Sequence, residues 1–289
     1  MKSLLLAACA ALAIGSAAEA QQVRPPAAIF TDPPADAANP ASSQVLHIPS
    51  GGVQINGLAY LAAGAGPHPT AVVLHGLPGN EKNLDLAQAV RRAGWNAVTF
   101  NYRGSWGSPG TFSFAGNLDD AKAVLAYLRD PANAAKLRID PKRMVIMGHS
   151  MGGWVTSQVA AADDGLLGAA LISAADMGAT AAAPKAQRVA IAADNMEALA
   201  GVTADSMADQ MGTLAPYSFA AAAPGLAKKR LLVLTSDDGL APVAEKLFMD
   251  VKARGGRVAI VHAKTDHGWN TARIRLETEI LTWLASLPK

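Results

Sequence analysis

Ser150 stands in Gly148-His149-Ser150-Met151-Gly152, between the apolar run Met144-Val145-Ile146-Met147 and a helix-like stretch opening Gly153-Trp154-Val155. A strand, then Gly-x-Ser-x-Gly, then a helix is the order that presents a serine hydroxyl as a nucleophile on a sharp turn. The turn is so tight that a side chain two residues to either side collides with its neighbours, so glycine is needed at both places. The hydroxyl then sits at a helix N-terminus, whose dipole favours the negative charge that develops in acyl transfer. Because the chain holds 26 glycines, the pattern has meaning only through this context and through partners found downstream.

A serine hydroxyl needs a base that titrates near neutrality, which confines the search to six histidines. His47, His68 and His262 lie in or beside strand-like or Pro/Gly-rich segments without a motif and read as structural. His149 is placed by the turn itself, its ring directed away from the neighbouring hydroxyl. His267, in Thr265-Asp266-His267-Gly268-Trp269, follows the strand-like Val258-Ala259-Ile260-Val261 and precedes the last helix. Its loop leaves the carboxyl edge of a parallel sheet, where ligands and chemistry gather. His267 is therefore the candidate base.

For the orienting acid, the buried-strand run Leu231-Leu232-Val233-Leu234 is followed by Thr235-Ser236-Asp237-Asp238-Gly239-Leu240-Ala241-Pro242. Asp238 is preferred because it precedes a glycine turn and lies four residues before Pro242, which suits the first turn of a helix. Asp237 reads as a turn or capping residue and stays the alternative. Asp266 borders His267, but adjacent side chains on one loop seldom face each other. Two backbone amides are expected to bind the oxyanion: Met151, directly after the nucleophile, and Leu77, in His75-Gly76-Leu77-Pro78-Gly79 after the strand Thr70-Ala71-Val72-Val73-Leu74. His75 reads as a pin for that loop rather than a second base.

On these motifs the chain resembles the α/β-hydrolase superfamily from about Val45 to its end. The matching pieces are Leu74-His75-Gly76, Asn101-Tyr102-Arg103-Gly104-Ser105, Gly148-His149-Ser150-Met151-Gly152-Gly153, Asp238-Gly239-Leu240-Ala241-Pro242 and Asp266-His267-Gly268. The second piece and the final third are also similar to single-domain esterases, acyl-peptide hydrolases and the catalytic domains of prolyl-oligopeptidase-type enzymes. A chain of 289 residues leaves no room for the β-propeller that the large oligopeptidases carry in front. The resemblance implies a mostly parallel twisted sheet with helices on both faces. It also implies ester cleavage through an acyl-enzyme, with peptide or acylaminoacyl-peptide cleavage as the alternative. A ligand-binding protein that keeps the scaffold without catalysis is the other class.

Strand-like runs at 71–74, 97–102, 144–147, 167–172, 231–234 and 258–261 alternate with helical patterns, which independently predicts that α/β sheet. An antiparallel pair at 45–48 and 53–61 precedes them across Ser50-Gly51-Gly52. Leu118, Ala121, Leu125 and Leu128, and later Leu276, Ile280, Trp283, Leu284 and Leu287, recur at helical spacing and read as packing faces. One alanine-rich stretch, about 177–227, has no strand. By resemblance it is a helical cap inserted after the sixth strand and covering Ser150. Met177 is a candidate pocket residue there, whereas Met196, Met207 and Met211 suit either a pocket wall or a small helical core. Trp106, Trp154 and Trp269 lie near the motif loops and are further pocket candidates, although such tryptophans also anchor loops.

With 51% hydrophobic and 17% charged residues the chain can bury one mid-sized core. A net charge of +2, without a basic run, argues against nucleic acid. Met1-Lys2, an apolar stretch from Leu4 to Ile14 and Ala18-Glu19-Ala20 have the layout of a cleavable export signal over residues 1–20, implying a periplasmic or secreted protein. Such a short stretch cannot span a bilayer. The alternative, lipoprotein processing at Cys9 in Leu6-Ala7-Ala8-Cys9, has only a short apolar region before it. Cleavage after Ala20 leaves no cysteine, so thiol chemistry is not expected. Residues 21–43, rich in proline and alanine, read as a mobile leader without a core of its own, and residues 44–289 as the hydrolase domain. The mechanism needs no metal or organic cofactor, and its substrate is a small ester or short peptide.

Overall fold

The computed structural model describes residues 24–289. The proposed export signal and Cys9 lie outside the described residues. Eight strands, β1 (Ser42–Ser50), β2 (Val53–Leu61), β3 (His68–Leu74), β4 (Asn96–Phe100), β5 (Ile139–His149), β6 (Leu166–Ile172), β7 (Arg230–Thr235) and β8 (Arg257–His262), form one sheet. Its order is β1-β2-β4-β3-β5-β6-β7-β8, antiparallel at β1–β2 and β2–β4 and parallel throughout the rest. This is the expected α/β-hydrolase architecture.

The runs Val72 to Leu74, Met144 to Met147 and Leu231 to Leu234 are continuously apolar because both faces of these central strands are covered. Val72, Leu74, Ile146, Leu231 and Val233 point into one core layer, against α2 (Phe114–Arg129), α4 (Met151–Ala162), α7 (Phe219–Leu226) and α8 (Ala241–Ala253). Ala71, Val73, Val145, Met147, Leu232 and Leu234 point into the other, against α1 (Leu84–Arg92) and α9 (Arg273–Ala285). Alternate residues of one strand thus build two different cores. A short α3 (Pro131–Lys136) leads into β5, which starts earlier than its apolar run because Ile139 pairs with His68.

The register aligns the strand ends on which the site depends. Leu74 pairs with Gly148, His149 with Ile172, Ile172 with Leu234 and Thr235 with His262. The segments that follow β3, β5, β6, β7 and β8 therefore leave the sheet at one edge.

The leader is corrected in part, because some of it is docked. Ala27–Ile29 form a 3-10 turn, Ile29 is buried in the layer shared with α1 and α9, and Arg92 donates to the carbonyls of Ala28 and Ile29. One apolar side chain and two carbonyls aimed at one guanidinium suffice to seat the turn, a match across 63 residues that composition does not reveal. The segment after β6 is helical as expected, with α5 (Lys185–Ala193), α6 (Ala204–Met211) and α7 framed by 3-10 turns at Met177–Ala182 and Ala215–Tyr217. Of the two roles open to its methionines, Met207 and Met211 take the core, since both are fully buried in its packing. No helix among the described residues is long and apolar enough to cross a membrane.

Candidate active site

β5 ends at His149, and Ser150 makes the turn into α4 with φ 57° and ψ −123°, a left-handed conformation that costs a non-glycine residue roughly 1–3 kcal/mol. Its amide donates to the Ile172 carbonyl (2.9 Å), and its carbonyl accepts from Gly153, Trp154 and Ala175, so the main chain is held at every side. Glycine is required on both flanks by contact. A Cβ at Gly148 would overlap the Gly152 carbonyl, and one at Gly152 would lie 2.5 Å from the His75 oxygen and 2.6 Å from the Leu74 oxygen. A Cβ at Gly76 would come within 2.8 Å of the Ser150 Cβ. The chain thus brings the 75–79 loop directly against the elbow.

Met151 is the first residue of α4, so its amide has no carbonyl one turn back to bind. Leu77 and Met151 both border, with Ser150, a cavity of about 410 Å³ that is also lined by residues between Ala175 and Asn195. Met177 lines this cavity, as expected. A smaller cavity of about 210 Å³ lies on the other side of Ser150, between the 76–81 loop and His149, His267 and Gly268. His75 pins the first loop: its Nδ1–H donates to the Gly76 carbonyl (2.9 Å) and its ring meets Tyr102 edge-on at 4.7 Å. Burial pushes its pKa down to about 4, the Gly76 bond opposing, so it is held neutral.

His267 donates from Nδ1 to Oδ2 of Asp238 at 2.7 Å, which leaves Nε2 as the nitrogen able to take a proton. Asp238 rather than Asp237 makes this bond. Asp237 instead accepts from Nε2 of His262 at 3.0 Å, and His262 also meets the Thr235 hydroxyl, so the neighbouring carboxylate is used to tie β7 to β8. Asp266 caps its own loop through the amide and side chain of Asn270. Burial opposes charge on Asp238, but hydrogen bonds from His267, the Leu240 amide and Ser236 outweigh it and hold the carboxyl below its ordinary value. It is therefore ionised at neutral pH.

Two of the expected pocket tryptophans are corrected outright, since Trp154 and Trp269 are fully buried and no substrate can reach them. Trp154 donates to the Tyr217 carbonyl and so ties α4 to the segment after β6. Trp106 is the third. Its indole N–H donates to the Pro78 carbonyl (2.6 Å) and its ring carries the Lys82 ammonium at 4.4 Å, so it braces the Leu77 loop instead of bordering either cavity beside Ser150.

Trp269 belongs to a chain that sequence reasoning missed. Its indole N–H donates to the Ser173 hydroxyl (2.9 Å), which meets the Ser236 hydroxyl at 2.7 Å, and Ser236 is one of the groups that hold Asp238 charged. Indole only donates and a carboxylate only accepts, so each serine must accept from the Trp269 side and donate towards Asp238. Ser173 and Ser236 lie just past the ends of β6 and β7, but small polar residues there are too common to signal a role. His149 was also missed: its Nε2–H donates to the His267 carbonyl at 2.8 Å. Among the described residues no group of His, Cys, Asp and Glu is arranged to hold a metal ion.

Residues 71–276 match the model of the alpha/beta hydrolase family, and the chain belongs to that family. An uncharacterised protein of Mycobacterium tuberculosis (strain CDC 1551 / Oshkosh) is 29% identical over 124 residues, 43% of this chain and 42% of its own length. The match therefore spans less than half of that relative. Among solved structures, a Pyrobaculum calidifontis esterase superposes with a TM-score of 0.64 at 22% identity, covering 86% of this chain and 87% of its own. A Pyrococcus horikoshii acylaminoacyl peptidase superposes at 0.61 and 18% identity, covering 85% of this chain and 41% of its own. At these identities the likeness is one of fold.

Proposed function

We propose that this protein cleaves carboxylic esters through an acyl-enzyme, with Ser150 as nucleophile, His267 as general base and acid, and Asp238 as the carboxylate that orients His267. One observation carries the reading: Ser150, on its elbow, and His267, whose Nδ1 is 2.7 Å from Asp238, border the same small cavity. His267 takes the Ser150 proton at Nε2 as the hydroxyl attacks the ester carbonyl, and the imidazolium is steadied by Asp238. The amides of Leu77 and Met151 receive the oxyanion. His267 then protonates the departing alcohol, and a water activated by the same imidazole releases the acid.

The leaving group has to lie within reach of His267, so it occupies the smaller cavity, and the acyl group occupies the larger one, which His267 does not border. Export from the cytoplasm is part of the proposal and rests on the layout of residues 1–20. The test is hydrolysis by the purified protein of short-chain nitrophenyl esters beside aminoacyl anilides. Turnover of the esters supports the reading, and turnover of the anilides alone replaces it with a peptidase.

A further inference from the structure

The larger cavity beside Ser150 is walled by apolar groups such as Leu77, Met177, Ile191 and Val243, and its polar lining is neutral except at one residue, Asp176. Asp176 follows Ala175, whose amide bonds the Ser150 carbonyl at 3.1 Å, so it belongs to the wall next to the nucleophile. Its two oxygens accept only backbone amides, Oδ1 from Ala179 at 3.3 Å and Oδ2 from Phe219 at 3.1 Å, with the Gly178 amide a third donor. No lysine, arginine or histidine lies within salt-bridge distance of it among the described residues.

An ionised carboxylate offers about four lone-pair directions, so room remains for a further donor. These amide bonds do not offset its desolvation, for burial leaves the carboxyl raised above its ordinary value. Its two oxygens cap two helix starts, the Met177–Ala182 turn and α7, but neither start brings a full positive charge to the carboxylate. A carboxylate without a cationic partner is costly to keep ionised beside an apolar cavity unless a ligand supplies one.

We infer that the larger cavity takes an acyl group bearing a cation, a protonated amine or a quaternary ammonium, which pairs with Asp176. This deepens the esterase reading and rests on it. Met177 and Ile191 would pack the methylenes, and Asp176 would pair with the charge they carry. The same carboxylate would repel acyl groups ending in an anion.

The test uses three nitrophenyl esters of nearly one shape: 4-(trimethylammonio)butyryl, its neutral isostere 5,5-dimethylhexanoyl, and glutaryl. Wild-type protein should rank them cationic, neutral, anionic in kcat/KM, with roughly tenfold between the first two, the ratio that about 1.4 kcal/mol of pairing gives. Asp176→Asn should collapse that ratio. Because losing a carboxylate that holds backbone amides can disturb folding, the wild-type ratio is also read against added salt, which should shrink it if charge is the cause. Equal rates for the three esters, or a ratio that survives both Asp176→Asn and salt, overturns the inference while leaving the esterase intact. Failure to hydrolyse any of them overturns both.

Discussion

His149 donates its Nε2 proton to the main-chain carbonyl of His267 across 2.8 Å, and the two rings lie 4.5 Å apart. The residue before Ser150 thus holds the loop that carries His267, joining two parts of the candidate site 118 positions apart. His149→Phe keeps the ring but removes the donor, and should lower kcat by about tenfold for the loss of one buried bond, with KM little changed. His149→Gln, which can donate, should recover part of it. Steady-state kinetics on one nitrophenyl ester checks this, and an unchanged kcat in the phenylalanine variant contradicts it.

Burial, with the neighbouring His267 adding to it, pushes the pKa of His149 to about 4, and burial does the same for His75. Between about pH 6.5 and 4 the unfolded chain therefore binds two protons that the folded chain does not. Stability falls as pH drops through that window, by up to about 3 kcal/mol per pH unit for the pair, and above the window these two groups contribute no slope. Urea unfolding at steps from neutrality towards pH 5 measures it. His149→Gln should remove about half of the slope, and a flat profile in the wild type would rule the assignment out.

The donor chain from Trp269 through Ser173 and Ser236 to Asp238 acts as a unit if its protons run one way. Trp269→Phe and Ser173→Ala should each lower kcat several-fold, about 1 kcal/mol, and the double variant should be no worse than the poorer single. Additive losses would mean that the two residues act separately.

Gly152→Ala places a methyl against the carbonyls of Leu74 and His75, both backbone, so the 75–79 loop must move. A loss of about 1–3 kcal/mol in stability is expected together with a larger loss of turnover, since the Leu77 amide shifts with the loop. Thermal unfolding and kinetics on the same preparation separate the two effects, and normal turnover would show that the loop does not set the oxyanion site.

The central strands were legible because parallel strands covered on both faces leave uninterrupted apolar runs such as Leu231 to Leu234, and turn residues mark their ends. Ser150 and His267 stand out as candidates because Ser150 sits in a short motif at the end of β5 and His267 in one on the loop after β8. Asp238 was distinguishable from Asp237 only by the glycine turn and the helix start at Pro242, and the structure places it on His267. What the sequence does not disclose depends on tertiary contact. Trp154 and Trp269 stand beside motif residues yet point inwards to carbonyl and hydroxyl partners 63 and 96 positions away. Ile29 is one apolar residue in a Pro/Ala-rich stretch, and it is buried where Arg92 catches its carbonyl and that of Ala28.

Ser150 as nucleophile is tested most directly by treating the protein with a fluorophosphonate and mapping the adduct by peptide mass spectrometry. The account predicts one adduct, on Ser150, abolished in Ser150→Ala and strongly slowed in His267→Ala while both variants remain folded. No adduct on the folded wild-type protein, or an adduct that persists in Ser150→Ala, would contradict it.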